Sequence, residues 1–320
     1  MGKNMSNVTP SSIGGIGRPY YDRHNDRIKG FFTNTIRAEN IEEAKAYLEE
    51  ARRLRNLHNA SRITVRMIVS TEMLPLISQL MNVEALIPLE GRWDGYHIVY
   101  MAENSESRCT PRRILEEEER LLFNVLQTTR RKSGEEVMRR VRENGYRIEL
   151  LREVSPREIE EIVGIYNEVL PSYTFPITPE SVRELISSPT SLVAVARDFN
   201  DRIVSISIAE VARLETDLGL LTIAELSDEA TLRSHRRRGL SQACILLLAD
   251  ELSRNGTDLI YEEARATHVG VNKATVSLGF RYAGRLIQHC VIGGDREIDF
   301  ESIYEDLNVF YLPRREHGNC

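Results

Sequence analysis

Lysine is scarce in this 320-residue chain: five of its 42 basic residues are lysine and the rest are arginine. Arginine clusters therefore arise by composition alone. A triple somewhere in the chain has roughly an even chance, so it carries weight only in a structural context. Cysteine is equally sparse, with Cys109, Cys244, Cys290 and Cys320 forming no CxxC pair and no zinc-ligand spacing. This predicts no metal site, no disulfide framework and a reducing, cytoplasmic setting. No apolar run approaches the roughly 18 residues a membrane helix needs, and the polar start lacks a signal-peptide core. Residues 1–6 fit the loose myristoylation pattern, but a plain tail fits them better. HExxH, GxSxG, Walker A and GxGxxG are all missing, which leaves metalloprotease, serine hydrolase, P-loop and Rossmann readings without support. The net charge of −6 argues against a nucleic-acid partner.

What is present is globular: 41% hydrophobic and 28% charged residues, enough apolar weight for about two domains at this length. A disordered tail is expected over residues 1–18, with Gly14, Gly15 and Gly17 as linker. Residues 19–104 read β-α-β-α-β-β, with Asn40 and Glu43 in capping-box positions before the helix. Residues 105–145 read as a helical connector that starts at Thr110-Pro111. Its run Glu116 to Glu119 is expected to be a solvated face. From Tyr146 to residue 320 a second α/β pattern follows. Ser155-Pro156-Arg157-Glu158 and Thr178-Pro179 are helix starts. Three strands joined by tight turns at Asn200-Asp201 and Asp217-Leu218-Gly219 should pair antiparallel. A long helix then runs from Gly239 to about Arg254, followed by a strand, a short helix and two strands.

The stretch from Ala230, Thr231 and Leu232 to Arg236, Arg237, Arg238, Gly239, Leu240 and Ser241 joins a strand to that long helix through a basic turn. A helix N-terminus exposes unpaired N–H groups and partial positive charge. Arginines are unfavourable there unless an anion arrives, and a phosphate satisfies both sets of donors. Arg236 to Ser241 resembles the R/Q-x-x-G-x-G/A signature of the GNAT family of acyl-CoA N-acetyltransferases. The element order from Tyr146 onward is similar to that of the family, and Asn272 with Gly279-Phe280 resembles its second cofactor-side motif. The resemblance implies a GNAT fold, a mixed and largely antiparallel sheet flanked by helices, preceded here by a smaller N-terminal α/β domain. It implies acetyl-CoA as donor, with residues 230–232, 236–241 and Asn272 on the cofactor side. Ser241 stands where Gly or Ala is usual, and Thr275 stands where many members carry a tyrosine acid, so the general acid stays open.

A narrower resemblance, to β-lysine N-acetyltransferases, rests on Tyr173 to Ile177, Ala224 to Leu232, Ala264 to Ala266 and Gly284 to Ile287. It implies a small cationic amine as acceptor, with Tyr173 and Phe175 over the substrate. Amine acetylation needs a base and a cation anchor. Glu225 and Asp228 would face opposite sides of a regular strand, but a single bulge between them would bring both to one face. Glu262 and Glu263 must face opposite sides of the next strand, either as a surface ion pair or at a substrate ammonium. Two other readings stay open: a protein or peptide acetyltransferase with an open groove, and an acyl-CoA sensor without turnover. The N-terminal domain could pack against the catalytic half or build a homodimer.

Overall fold

The apolar alternation of the first third folds into strands that lie on α1 (Ile41–His58) and α2 (Leu74–Leu80). In a computed structural model that describes residues 13–295, 298 and 301–314, these strands are β1 (Tyr20–Asp22), β2 (Arg27–Ile36), β3 (Arg62–Ser70), β4 (Asn82–Pro88) and β5 (Tyr96–Asn104). Two connector helices follow, α3 (Arg112–Thr128) and α4 (Gly134–Glu143). The C-terminal half then runs β6 (Arg147–Leu151), α5 (Pro156–Val169), α6 (Pro179–Ser187), β7 (Ser191–Arg197), β8 (Ile203–Thr216) and β9 (Gly219–Thr231). It continues with α7 (Leu240–Arg254), β10 (Leu259–Arg265), α8 (Val269–Ser277), β11 (Arg281–Val291) and β12 (Tyr304–Leu312). The order and the antiparallel pairing of β7, β8 and β9 are those the GNAT resemblance implies.

All twelve strands join one sheet, in the order β1-β2-β3-β5-β4-β11-β12-β10-β9-β8-β7-β6. One face of the C-terminal part packs on α5 and α6, and the other on α7, α8 and the connector helices. The sheet curls back on itself. Phe31, Ile98 and Tyr100 of the N-terminal strands share a core with Leu214, Ile223 and Tyr261. At the β8–β9 hairpin tip, the Asp217 carboxylate accepts the Thr35 N–H at 2.8 Å. The N-terminal sheet therefore faces the C-terminal one across a gap, and that gap holds the site described below.

Arginine usage acquires a structural reason at the seam. The register of β11 against β12 shifts between Leu286 and Cys290, and Gln288 has a left-handed φ of 48°. Carbonyls freed by this irregularity accept guanidinium donors from the N-terminal half and connector: Arg62 reaches the Ile287 oxygen at 2.7 Å, Arg108 that of Gln288 at 2.9 Å, and Arg27 that of His289 at 3.0 Å. Arg62 and Arg108 are both buried. A planar fork with several donors serves such convergent carbonyls better than an ammonium does.

Several local expectations are corrected. Asn40 precedes α1, but its side chain donates to the Thr35 carbonyl and accepts from the Arg37 N–H instead of capping the helix. Thr110 does not cap α3; its hydroxyl donates to Asp306 at 2.6 Å. Glu116 and Glu117 pair with Arg112 and Arg113 in solvent, whereas Glu118 turns inward to Arg285. Burial, and then the Asp306 charge, push the Glu118 carboxyl up to about 9. Residues 13–17 run beside β2 rather than forming a tail: the Phe31 N–H donates to Gly15 and Ile13 is buried. The myristoylation pattern, Cys320 and the first twelve residues lie outside the described residues.

Candidate active site

β9 and β10 pair in parallel only where Ile223 to Leu226 meet Leu259 to Glu262. Beyond Leu226 the β10-facing edge of β9 carries no such pairing. On its other edge, the register against β8 slips between Ile206 and Ile208, opposite Ala230 and Ser227. This is a single β-bulge at residues 228 and 229, with Asp228 in the left-handed region at φ 53°. An aspartate tolerates that conformation better than most side chains. The bulge brings Glu225, Ser227 and Asp228 to one cavity of about 430 Å³ between the two halves of the sheet.

Asp228 is buried, and the Tyr173 hydroxyl donates to its Oδ1 at 2.5 Å. Burial, and then the Glu210 charge, raise its carboxyl to about 6, while the hydroxyls of Tyr173 and Ser227 hold it down. Tyr173 stacks on Tyr166 and meets Phe175 edge-on, and both Tyr173 and Phe175 line the cavity. Glu225 accepts from the Tyr261 hydroxyl at 2.7 Å and lies 3.8 Å from the Arg66 guanidinium. Burial and the Glu263 charge push the Glu225 carboxyl up; Arg66 and Lys29 draw it back. Neither carboxylate on β10 makes the surface pair expected of it. Glu263 lines the cavity, and Glu262 is buried on the opposite side, where it accepts from the Thr275 hydroxyl at 2.8 Å.

The sequence reading missed the opposite wall. Tyr20, Asp22, Arg27 and Lys29 of β1 and β2 line the same cavity. The His24 Nε2 meets the Tyr173 carbonyl oxygen at 2.7 Å and closes one side. Nothing local in the N-terminal segment signals this role, because it follows from a long-range fold of the sheet. His289 also lines the cavity, 3.6 Å from Glu263; burial and the nearby arginines hold its pKa well below the usual histidine range.

The cofactor-side residues gather around the start of α7. Gly239 is its N-cap at φ 83°, Arg237 is also left-handed at 65°, and no side chain caps the first N–H groups. Backbone of this kind forms an anion-binding concavity, which fits a diphosphate. Ala230 is buried and Leu240 starts the helix. Thr231 Oγ1 is 2.7 Å from Ser205 Oγ, and the Leu232 N–H donates to Val204. Arg236 donates to Asp295 at 2.6 Å, and Arg233 shares that carboxylate at 3.1 Å, so Asp295 is held down at about 2. Arg237 is exposed. Arg238 lies over the Tyr146 ring and bonds its hydroxyl. Ser241 donates to Glu229 at 2.7 Å. Asn272 makes its hydrogen bonds within the β10–α8–β12 region. Its amide donates to the Arg265 and His268 carbonyls, and its oxygen accepts from Asn308. His268 is the N-cap of α8. Among the described residues no group of three or more His, Cys, Asp or Glu side chains could hold a metal ion, and no helix is long and apolar enough to cross a membrane.

No family model matches the chain. Among curated proteins it is 25% identical over 206 residues to the N-acetyltransferase YodP of Bacillus subtilis, covering 63% of this chain and 70% of that one. It is 27% identical over 161 residues to the β-lysine N(6)-acetyltransferase of Methanosarcina mazei, covering 50% of this chain and 54% of that one. The chain thus spans about half the length of this second relative. Among solved structures, the ribosomal-protein-S18-alanine N-acetyltransferase from Escherichia coli is 20% identical, with a TM-score of 0.41, over 54% of this chain and 96% of that one. The curated relatives are N-acetyltransferases.

Proposed function

We propose that the chain, whose C-terminal half is a GNAT-type N-acetyltransferase domain, moves the acetyl group of acetyl-CoA to a small cationic amine, the side-chain amine of β-lysine or a related diamino acid. The carboxylate-lined cavity, walled by both halves of the sheet, carries this reading. A peptide substrate needs an open groove, whereas β1, β2 and the segment from Tyr173 to Pro176 wall this cavity on two sides. Glu210, Asp228 and Glu263 supply negative charge that offsets burial of an ammonium, and Glu225, whose carboxyl burial pushes up to about 8, ionises once an ammonium is beside it.

In this reading the diphosphate of the donor rests on the α7 N-terminus and the thioester lies along the unpaired edge of β9. Asp228, in the bulge, takes the proton of the attacking ammonium. A pKa of about 6 keeps it ionised near neutrality and still basic enough to act. The amine nitrogen then attacks the thioester carbonyl, N–H groups of the splayed strand meet the developing oxyanion, and its collapse breaks the C–S bond, releasing CoA as a thiolate that takes a proton from solvent while Asp228 gives its own back to solvent. Glu225 anchors positive charge at the other end of the acceptor.

A coupled CoA-release assay tests the proposal. Diamino acids should be acetylated and short N-terminal peptides should not. Faster turnover of peptides would favour a peptide acetyltransferase, and donor binding without turnover of any amine would favour a sensor. A second expectation concerns Asp295, which competes with the donor for Arg236. Asp295→Asn should tighten acetyl-CoA binding by at most about five-fold, the scale of an exposed ion pair, as measured by calorimetry.

A further inference from the structure

The acceptor cavity is divided in charge. Glu210, Glu225, Asp228 and Glu263 come from the C-terminal strands, while the N-terminal strand β2 contributes Arg27, which Asp22 of β1 pairs, and Lys29. Lys29 is the one buried lysine among the described residues; Lys45 and Lys132 are half-buried and Lys273 is exposed. It stands among charges of both signs, with Arg27, Arg66, Glu225 and Glu263 all acting on it. Burial, followed by the fields of Arg27 and Arg66, lowers its pKa. Those two guanidiniums are tied into the fold: Arg27 donates to Asp22 at 2.8 Å and to the His289 carbonyl at 3.0 Å, and Arg66 donates to the Tyr261 hydroxyl at 2.7 Å. Lys29 differs from both in offering a compact ammonium on a flexible stem.

A plain diamine would add positive charge beside these three cations. An acceptor that also carries a carboxylate would bring an anion to them and its ammonium groups to the glutamates. Glu225 and Asp228 lie three residues apart on β9, about 10 Å along an extended strand and less across a bulge. An extended lysine-like side chain covers much of that length.

We propose that Lys29 is a specificity-determining residue that binds the carboxylate of a diamino acid acceptor, with Glu225 and Glu263 at the ammonium next to that carboxylate and Asp228 at the distal, reacting amine. This rests on the acceptor reading given above. It also assigns the N-terminal half a task, which is to read the end of the acceptor that does not react.

The test compares β-lysine with 1,4-diaminopentane, its analogue without the carboxylate, on the full chain. Wild-type enzyme should favour β-lysine in kcat/KM by about ten-fold or more, the scale of one charged hydrogen bond. Lys29→Met should raise KM for β-lysine by a similar factor and cut the preference for β-lysine over 1,4-diaminopentane in kcat/KM to about two-fold or less, and Lys29→Arg should restore part of the preference. Equal use of the two amines by wild-type enzyme overturns the proposal even if the variants fail to fold. A preference that survives in a folded Lys29→Met overturns it as well. Absence of turnover with every amine overturns the acceptor reading and this inference together, whereas turnover without preference overturns only the inference.

Discussion

Asp228→Asn should lower kcat by about 100-fold or more, the usual contribution of a positioned general base, while the dissociation constant for acetyl-CoA stays unchanged. Asparagine is the informative replacement. Asp228 occupies a left-handed backbone position at φ 53°, which asparagine also adopts readily and alanine does not. The bulge should therefore persist, and the Tyr173 hydroxyl can still donate to the amide oxygen. What is lost is the ability to take a proton. The pH profile separates this from a loss of packing. A base must be deprotonated to act, so wild-type kcat/KM should rise as pH climbs through about 6, the value to which burial and Glu210 bring the group. The residual rate of Asp228→Asn should lack that limb. A variant that retains both the rate and the limb would move the base to another residue, with Glu225 next in line.

The largest structural effect is expected at Gly284→Ala. Gly284 sits at φ 147° and pairs with Ala85, the register point that joins β11 to β4 and so the two halves of the sheet. A Cβ there would collide with the Glu84 carbonyl and come within 2.5 Å of the Ala85 Cα, both backbone atoms that cannot rotate aside. Overpacking of a tight site costs about 1–3 kcal/mol, and left-handed strain adds about 1–2 kcal/mol. A loss of about 3 kcal/mol should therefore appear as a fall in Tm. The same change should weaken acceptor use more than donor binding, because the seam positions β1 and β2 over the cavity, whereas the α7 N-terminus is held by the connector helix α4. An unchanged Tm would mean that the strands separate there at little cost.

Much of the C-terminal half was legible from sequence because its signals are local. Ser155 with Glu158 and Thr178 with Ser181 form capping boxes, and the turns at Asp201 and Gly219 carry the left-handed backbone their residues favour. The spacing of Glu225 and Asp228 posed the question of a bulge, and the slip opposite Ile206 and Ile208 answers it. The opposite wall was not legible. Lys29 and Arg27 read as ordinary members of a strand, and only a sheet that curls through β4 and β11 carries them to the carboxylates. Glu118 failed for a related reason: nothing in a run of four glutamates marks the one that will meet a buried arginine. The Asn40 cap failed because a nearer carbonyl, that of Thr35, captured the amide.

The unbroken sheet also sets how the protein can be cut or fused. The chamber lies between two faces of one curled sheet, and the Tyr173 to Pro176 segment, held by His24, forms part of its wall. Shortening the chain to its C-terminal half would leave the rim of β11 bare, with the oxygens of Ile287, Gln288 and His289 stripped of their guanidinium donors. Such a fragment presents a raw β-edge to its neighbours, and clumping in solution is its expected fate.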